Sequence, residues 1–356
     1  MRITILAAAL ALLLAGGGAS ARAGQGAPAT ATPGRALDMV LVPTFWGTDA
    51  SAKQLMAGRF GKPFDPTRDG AEQAATELRD PTPLRYVLSP GGAAQIAVVT
   101  DATARGVGAI MLSNNSGAAI VPAAKAARAK GITLVSWAYP IPSADGQDVF
   151  VAQDDATQGG AVLAGMARTI LGPAGGKLAV LSNAPDAPPS IWVTAFEAIL
   201  KQPPYATLEP VDLVYGNDDP ARSYEQALAL IDRHPDLKLI VGATSNSALA
   251  AVKAVQDRHL CGRLKVTGFG IPSNMRDYVL DGCAPEIALW SYTDLGYLAY
   301  YTAYLLATGA LKAEPGRQFT AGRLGIRTLT RDPSYGLRVL LGPWTVYDKT
   351  TIAAAR

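Results

Sequence analysis

At 356 residues, with 49% hydrophobic and 17% charged side chains, the chain has room for two ordinary domains and the balance of a globular protein, not of a disordered or fibrous one. Its formal charge of +3, with Lys and Arg scattered instead of clustered, gives no electrostatic footprint for nucleic acid. No stretch approaches the ~20 uninterrupted apolar residues that a membrane-spanning helix needs, so membrane insertion is not expected.

Residues 1–23 read as a cleavable export signal: Arg2, an apolar run from Ile3 to Leu14, then small residues ending in Ala21-Arg22-Ala23. Loss of Arg2 and Arg22 would lower the charge from +3 to +1, and no cysteine near that point indicates a lipid anchor. Residues 24–36, rich in Gly, Ala, Thr and Pro, read as a flexible lead-in. Short β-rich runs then alternate with helical patterns. The strand candidates are Met39 to Pro43, Leu84 to Ser89, Val107 to Ser113, Ile132 to Trp137, Val149 to Ala152, Lys177 to Ser182, Val211 to Tyr215, Leu237 to Gly242, Leu264 to Gly268 and Glu286 to Trp290. Between them, Ala118 to Ala129 is helical and stops at Gly131, and a long pattern runs from Asp155 to Leu171. Another covers Ser190 to Lys201. Pro220 to His234 places Tyr224, Ala227, Leu228 and Ile231 on one face behind the capping candidates Asp218 and Asp219, and Pro235 ends it.

Such alternation implies an α/β fold with parallel sheets flanked by helices, because parallel strands need long crossovers. Ten strands exceed one comfortable sheet, so the chain divides into two lobes near Gln153. After Asp294 come one more helix and hairpin-like segments rich in Gly and Pro, consistent with the chain crossing back. The lobes are expected at 37–152 with 294–325, and at 153–293 with 326–356.

The two cysteines, Cys261 and Cys283, each precede a strand. If those strands are parallel neighbours the thiols share a sheet edge and could join in an oxidising compartment; the alternative is two unpaired thiols. A bridge there would stabilise by roughly 3 kcal/mol on loop-entropy grounds.

Catalytic machinery is scarce. His234 and His259 both sit near helix ends, and neither a Gly-x-Ser-x-Gly elbow nor a His-Glu-x-x-His helix occurs. Asp154-Asp155 falls where a strand hands over to a helix, which suits a cap or hinge. Gly172-Pro-Ala-Gly-Gly-Lys177 precedes a strand and lacks the Ser or Thr of a phosphate loop, and Gly268-Phe-Gly270 lacks the third glycine of a dinucleotide fingerprint. No enzyme activity, cofactor or metal is expected.

In open α/β sheets, ligands bind beyond the C-terminal ends of strands. Those ends carry Pro43-Thr44-Phe45-Trp46, Ser113-Asn114-Asn115-Ser116, Trp137-Ala138-Tyr139, Ser182-Asn183, Ala243-Thr244-Ser245-Asn246, Gly268-Phe269-Gly270 and Trp290-Ser291. Amides, hydroxyls and rings together suit a small neutral polar ligand such as a sugar, deoxy sugar or polyol, with rings covering its CH faces. For Trp137 and Trp290 core packing is the alternative, and Trp192 and Trp344 read as structural.

Several motifs now point the same way: Val266-Thr-Gly-Phe-Gly-Ile-Pro-Ser-Asn-Met-Arg276, Ala288-Leu-Trp290, Asp294-Leu-Gly-Tyr-Leu298, Thr320-Ala-Gly-Arg-Leu-Gly325, Val214-Tyr-Gly-Asn-Asp-Asp-Pro220, and Gly342-Pro343 with Val346-Tyr-Asp-Lys349. From Ala36 to Ile352 the chain resembles the periplasmic sugar-binding proteins of bacterial ABC transporters, in the branch with rhamnose- and autoinducer-binding proteins. The resemblance implies two Rossmann-like lobes joined by a three-crossing hinge that closes on a ligand, and a membrane permease that reads the closed form. It implies a periplasmic receptor; a sensory receptor feeding a chemoreceptor or sensor kinase is the alternative.

By the same resemblance, Trp290, Ala138 and Tyr139 face the ligand, Thr244 and Ser245 contact it partly through backbone, and Asn115 offers a polar group. The family's Gly-x-Pro-aromatic motif is matched by Gly61-Lys-Pro-Phe64, set off from Pro43 by an insertion, so that Thr44 or Arg59 takes the polar role after the first strand. Ala138 stands where relatives have an aspartate, and Pro188 and Pro189 where they have acidic or amide residues. Losing those groups removes hydrogen bonds worth about 0.5–1.5 kcal/mol each, which implies altered specificity. The candidate ligand residues are therefore Thr44, Phe45, Trp46, Arg59, Phe64, Asn115, Trp137, Tyr139, Thr244, Ser245 and Trp290.

Overall fold

The computed structural model describes residues 27–43, 66–89, 92–185, 190–217 and 219–353. Its first sheet is built from continuous apolar runs that are buried on both faces, as parallel strands between helices must be. Strands β1 (Met39–Val42), β3 (Ala109–Leu112) and β5 (Val149–Ala152) are buried throughout, and β4 (Thr133–Trp137) nearly so. With β2 (Arg85–Tyr86), they run parallel in the order β5-β4-β3-β1-β2. The second sheet has the order β7-β6-β8-β9, also parallel, from β6 (Gly176–Ser182), β7 (Leu208–Tyr215), β8 (Leu239–Gly242) and β9 (Lys265–Gly268).

Helices fill the crossovers: α1 (Pro66–Glu77), α2 (Gly92–Arg105) and α3 (Val121–Ala129) in the first half, then α4 (Ala156–Leu171), α5 (Ser190–Leu200), α6 (Pro220–Arg233), α7 (Ser245–Asp257) and α8 (Pro272–Leu280). Two caps follow the expected chemistry. Asp155 Oδ1 accepts from Gln158 N at 3.0 Å and Asp219 Oδ1 from Arg222 N at 2.7 Å, each satisfying an amide that the first turn leaves free.

The chain passes between the sheets three times. It leaves the first sheet after β5, through residues 153–155 into α4. It returns from β10 (Ile287–Leu289) through 290–291 into α9 (Tyr292–Ala307), which is buried on nearly every side, carrying Tyr297, Tyr300 and Tyr304 into the first core. A two-stranded hairpin follows, β11 (Gln318–Thr320) with β12 (Ile326–Thr328). Then β13 (Thr330–Asp332) and β14 (Gly336–Leu340) join the first sheet, β14 parallel to β5. Residues 341–344 make the third crossing to β15 (Thr345–Tyr347), which pairs antiparallel with β10, and Ile352 ends buried in a core of the second half.

Several expectations need correction. Segment 326–356 does not stay together: β13 and β14 extend the first sheet and β15 meets β10. The strand expected over 84–89 is ordered as a ladder only at Arg85–Tyr86. Of the lead-in, the described residues 27–36 are tied down rather than loose. Ala29 N donates to Gln318 O at 2.8 Å, Thr320 N to Ala29 O at 2.9 Å, Gly34 N to Leu78 O at 2.8 Å and Arg35 N to the Tyr304 hydroxyl at 3.0 Å. Small residues there let the backbone lie along β11 and act as an added strand edge.

Cys261 and Cys283 form a disulfide with Cα atoms 4.6 Å apart. The route differs from simple neighbouring strands. β9 and β10 meet only at the isolated parallel bridge Phe269–Ala288, and Val266 N donates to Cys283 O at 3.0 Å, drawing the loop before β10 against the start of β9.

Candidate functional site

The C-terminal end of β9 and the three crossings converge on one group of rings. Trp290, the first residue after β10, has centroids 4.8 Å from Trp344, 5.8 Å from Trp192 and 5.8 Å from Tyr292. Phe269, just past β9, stacks on Trp344 at 4.2 Å and meets Trp192 edge-on at 5.2 Å. Phe269 is 1% and Trp344 8% exposed, so both are packed supports, whereas Trp290 is half-buried and touches the cores of both halves. Its indole nitrogen is buried without a hydrogen-bond partner. A buried donor left unpaired costs about 1–3 kcal/mol, so such atoms at strand ends mark where an incoming polar group is wanted.

Asn115 presents the complementary case on the first sheet. Its backbone N–H donates to Gln95 Oε1 at 3.0 Å, Ser116 Oγ donates to the same oxygen at 3.0 Å, and Gln95 Nε2 holds the Ser113 carbonyl at 2.8 Å. This buried glutamine fixes the loop, and Asn115 Oδ1 is left buried and unpartnered.

Beyond β4, Tyr139 N donates to Trp137 O at 2.6 Å, closing a three-residue turn with Ala138 at φ 58°. A non-glycine residue in that region carries strain, and such strain concentrates at functional sites. Tyr139 is half-buried beside it, its carbonyl accepting from Asn114 N at 3.0 Å.

Other candidates fare differently. Trp137 is 3% exposed inside the first core, so its ring is a packing element; only its indole nitrogen, buried and unpartnered, remains to offer. Thr244 is the N-cap of α7: its hydroxyl accepts from Ser247 N at 3.1 Å and donates to Ser247 Oγ at 2.8 Å, so this side chain is engaged in holding the helix. Ser245 opens that helix and is half-buried. Thr44, Phe45, Trp46, Arg59 and Phe64 lie outside the described residues, as do Pro188 and Pro189.

The segments 113–116, 138–140, 243–246, 269–271 and 290–292 contain no charged side chain. The acidic pair 154–155 is the exception in the first crossing. Asp154 Oδ2 accepts from Trp344 Nε1 at 2.9 Å. Burial pushes its carboxyl up from 3.8 to about 7. Trp344 opposes the rise through that bond and Trp192 from close by, its own indole N–H falling outside hydrogen-bond geometry, while Asp155 adds to it. Sequence reading treats Trp192 and Trp344 as structural and does not connect Asp154 with either, since 190 positions separate Asp154 from Trp344. Among the described residues, no group of three or more His, Cys, Asp or Glu could hold a metal ion, and no helix is long and apolar enough to cross a membrane.

Comparison with known proteins places this geometry in context. The family described as periplasmic binding protein domain matches residues 54–311. Among solved structures, a sugar ABC transporter protein from Actinomyces odontolyticus is 27% identical, with TM-score 0.77, covering 90% of this chain and 97% of that one. An ABC transporter solute binding protein from Clostridium phytofermentas with bound L-rhamnose is 25% identical, TM-score 0.70, covering 90% and 98%. LsrB from Clostridium saccharobutylicum in complex with AI-2 is similar in fold, at 21% identity and TM-score 0.68, covering 90% and 100%.

Proposed function

Since the chain belongs to the periplasmic binding protein domain family, we propose that it is an exported solute-binding receptor that closes two lobes on a small neutral sugar or sugar-like ligand and hands it to an ABC permease. The observation that carries this reading is Trp290: a half-buried ring on an inter-sheet crossing, braced by Trp344 and Trp192, with an indole N–H lacking any partner. A ring covers the apolar CH face of a sugar while its N–H and neighbouring amides bond hydroxyls. Asn115 Oδ1 offers an acceptor, and the uncharged segments around it favour a neutral solute. The rhamnose-bound and sugar-transporter relatives support the ligand class.

Lobes of 37–152 with 294–340, and of 153–293 with 345–353, are the division that sheet pairing supports. The signal-like residues 1–23 and the family support export to the periplasm. Binding without catalysis fits an acidic pair that is engaged as a cap and as the acceptor of an indole N–H. Ala138 in place of a carboxylate supports specificity shifted from rhamnose toward a less hydroxylated ligand.

Titration calorimetry with L-rhamnose, other deoxy sugars, polyols and a charged amino acid tests the reading. Saturable heat from one neutral solute and none from the amino acid is expected. Binding of the amino acid with none of the neutral solutes would overturn it, and tight rhamnose binding would overturn the altered specificity alone.

A further inference from the structure

Three short segments join the halves, and one side chain touches all of their neighbourhoods. Trp344 lies on the third crossing. Its indole N–H donates to Asp154 Oδ2 on the first crossing at 2.9 Å, its ring meets Trp290 on the second at 4.8 Å, and its face stacks on Phe269 at the end of β9. We propose that Asp154 is a positioning residue: by holding the Trp344 indole it fastens the three crossings into one hinge and sets the angle at which Trp290 faces the cleft.

Close packing makes the bond specific. Gly159, in the first turn of α4, lies so near that a Cβ there would stand 2.5 Å from Trp192 Cδ1 and 2.9 Å from Asp154 Oδ2. The absence of a side chain at 159 therefore lets the carboxylate and Trp192 share one pocket wall. A half-buried carboxylate and a buried indole N–H each lose water on folding, and each is the other's compensation. With Trp344 unable to turn, the T-shaped contact to Trp290 allows the second ring few orientations.

The same bond is proton-sensitive. Protonation leaves Asp154 able to accept but weakens a charge-assisted bond to a neutral one, and burial sets the carboxyl at about 7. The groups around it are few. Asp155 is the acidic neighbour on its own segment. α4 presents Gly159 and α5 presents Trp192. The third crossing, Leu341 to Trp344, has no titratable side chain, with Arg327 Nη2 donating to Leu341 O at 2.9 Å. The second crossing leads into Tyr292 and Asp294, the latter ion-paired with Arg323.

The proposal concerns the hinge and needs no ligand, so it is tested apart from the proposed function; only the importance of Trp290 for binding rests on that reading. The readout is the indole N–H spectrum of the full chain labelled with 15N-tryptophan, with Trp344 and Trp290 assigned through Trp344→Phe and Trp290→Phe. The Trp344 resonance is expected to titrate with a midpoint of about 7, and the Trp290 resonance to follow with the same midpoint. In Asp154→Asn, whose neutral amide oxygen still accepts, both are expected near their low-pH wild-type positions and independent of pH. In Asp154→Ala both are displaced at every pH. Nitroxides on Ala118→Cys and Ser273→Cys, exposed positions beyond the strand ends of the two halves, report the hinge itself, the native cysteines being bridged. Asp154→Ala is expected to broaden that distance distribution and Asp154→Asn to leave it unchanged. Should Asp154→Ala fail to fold, Trp344→Phe keeps the ring, loses the N–H, and is expected to shift Trp290 and broaden the distribution in the same way. A Trp344 resonance indifferent to pH, a Trp290 resonance that does not follow it, or an Asp154→Asn protein with a broadened distribution would overturn the proposal.

Discussion

Gly296 lies against the Thr67 carbonyl so closely that a Cβ added to it would stand 1.9 Å from that oxygen. The relationship is reciprocal, since a Cβ on Gly70 would come 1.7 Å from Thr293 O. Helices α1 and α9 therefore touch backbone to backbone, and α9 is the element that carries the chain from the second crossing back into the first core. Ala at 296 must push the helices apart or strain both, at a cost typical of overpacking, about 1–3 kcal/mol. Urea unfolding of Gly296→Ala at unchanged disulfide state is expected to show a lowered midpoint with an unchanged slope.

Trp290 and Phe269 separate affinity from stability. Phe269→Ala deletes a ring that is 1% exposed and stacked on Trp344, and is expected to cost about 3–5 kcal/mol in chemical denaturation. Trp290→Ala removes a half-buried ring, so the unliganded protein loses less, about 1–2 kcal/mol, while affinity for the neutral solute identified by calorimetry falls at least tenfold. Equal losses of stability from the two substitutions would move Trp290 into the core.

The bridge between Cys261 and Cys283 closes a loop of sequence separation 22. Reduction, or Cys261→Ser with Cys283→Ser, is expected to lower stability by roughly 3 kcal/mol. Thiol titration of the denatured, unreduced protein should find no reactive group. The bridge sits at the N-terminal edge of β9, away from the cleft, so ligand affinity should survive its removal.

Buried tyrosines provide an alkaline signature. Glu77 accepts from the hydroxyls of both Tyr297 and Tyr301, and Asp80 accepts from Tyr300 at 2.9 Å. Burial first, then the neighbouring carboxylate, pushes Tyr297 up to about 12 and Tyr300 and Tyr301 higher still. These folded-state values lie above the unfolded value of 10.0, so the contribution is fully present below pH 10 and is lost as pH rises through the folded values. Absorbance titration should show Tyr297, Tyr300 and Tyr301, among the 13 tyrosines, ionising only on alkaline unfolding. Tyr300→Phe is expected to leave Asp80 short of a donor and cost about 1–3 kcal/mol.

The parallel sheets were legible because strands buried on both faces must be apolar runs, as Met39–Val42 and Val149–Ala152 are. Asp155 and Asp219 could be read as caps because capping is local chemistry. Strands β13 and β14 were not assignable to a sheet, since the edge strand β13 and its neighbour β14, with Arg331 open and Arg338 half-exposed, lack the alternation that betrays a partner. Tryptophans show the same limit. A ring at the end of a strand can turn inward, as Trp137 does, or stand at the crossing, as Trp290 does, and only the packing of distant segments decides. The bond from Trp344 to Asp154 has no local signature at all.

The turn at Ala138 is held by main-chain bonds on both sides: Ala138 N to Val151 O at 3.1 Å, Tyr139 N to Trp137 O, and Asn114 N to Tyr139 O. Its left-handed backbone is therefore imposed by the surrounding sheet and owes nothing to the methyl group it carries. Asn and Asp tolerate that backbone better than most residues, so a side chain with new hydrogen-bonding capacity can be exchanged there without refolding the wall. On the proposed reading, position 138 is thus a place where the choice of solute can change while the turn that carries it stays the same.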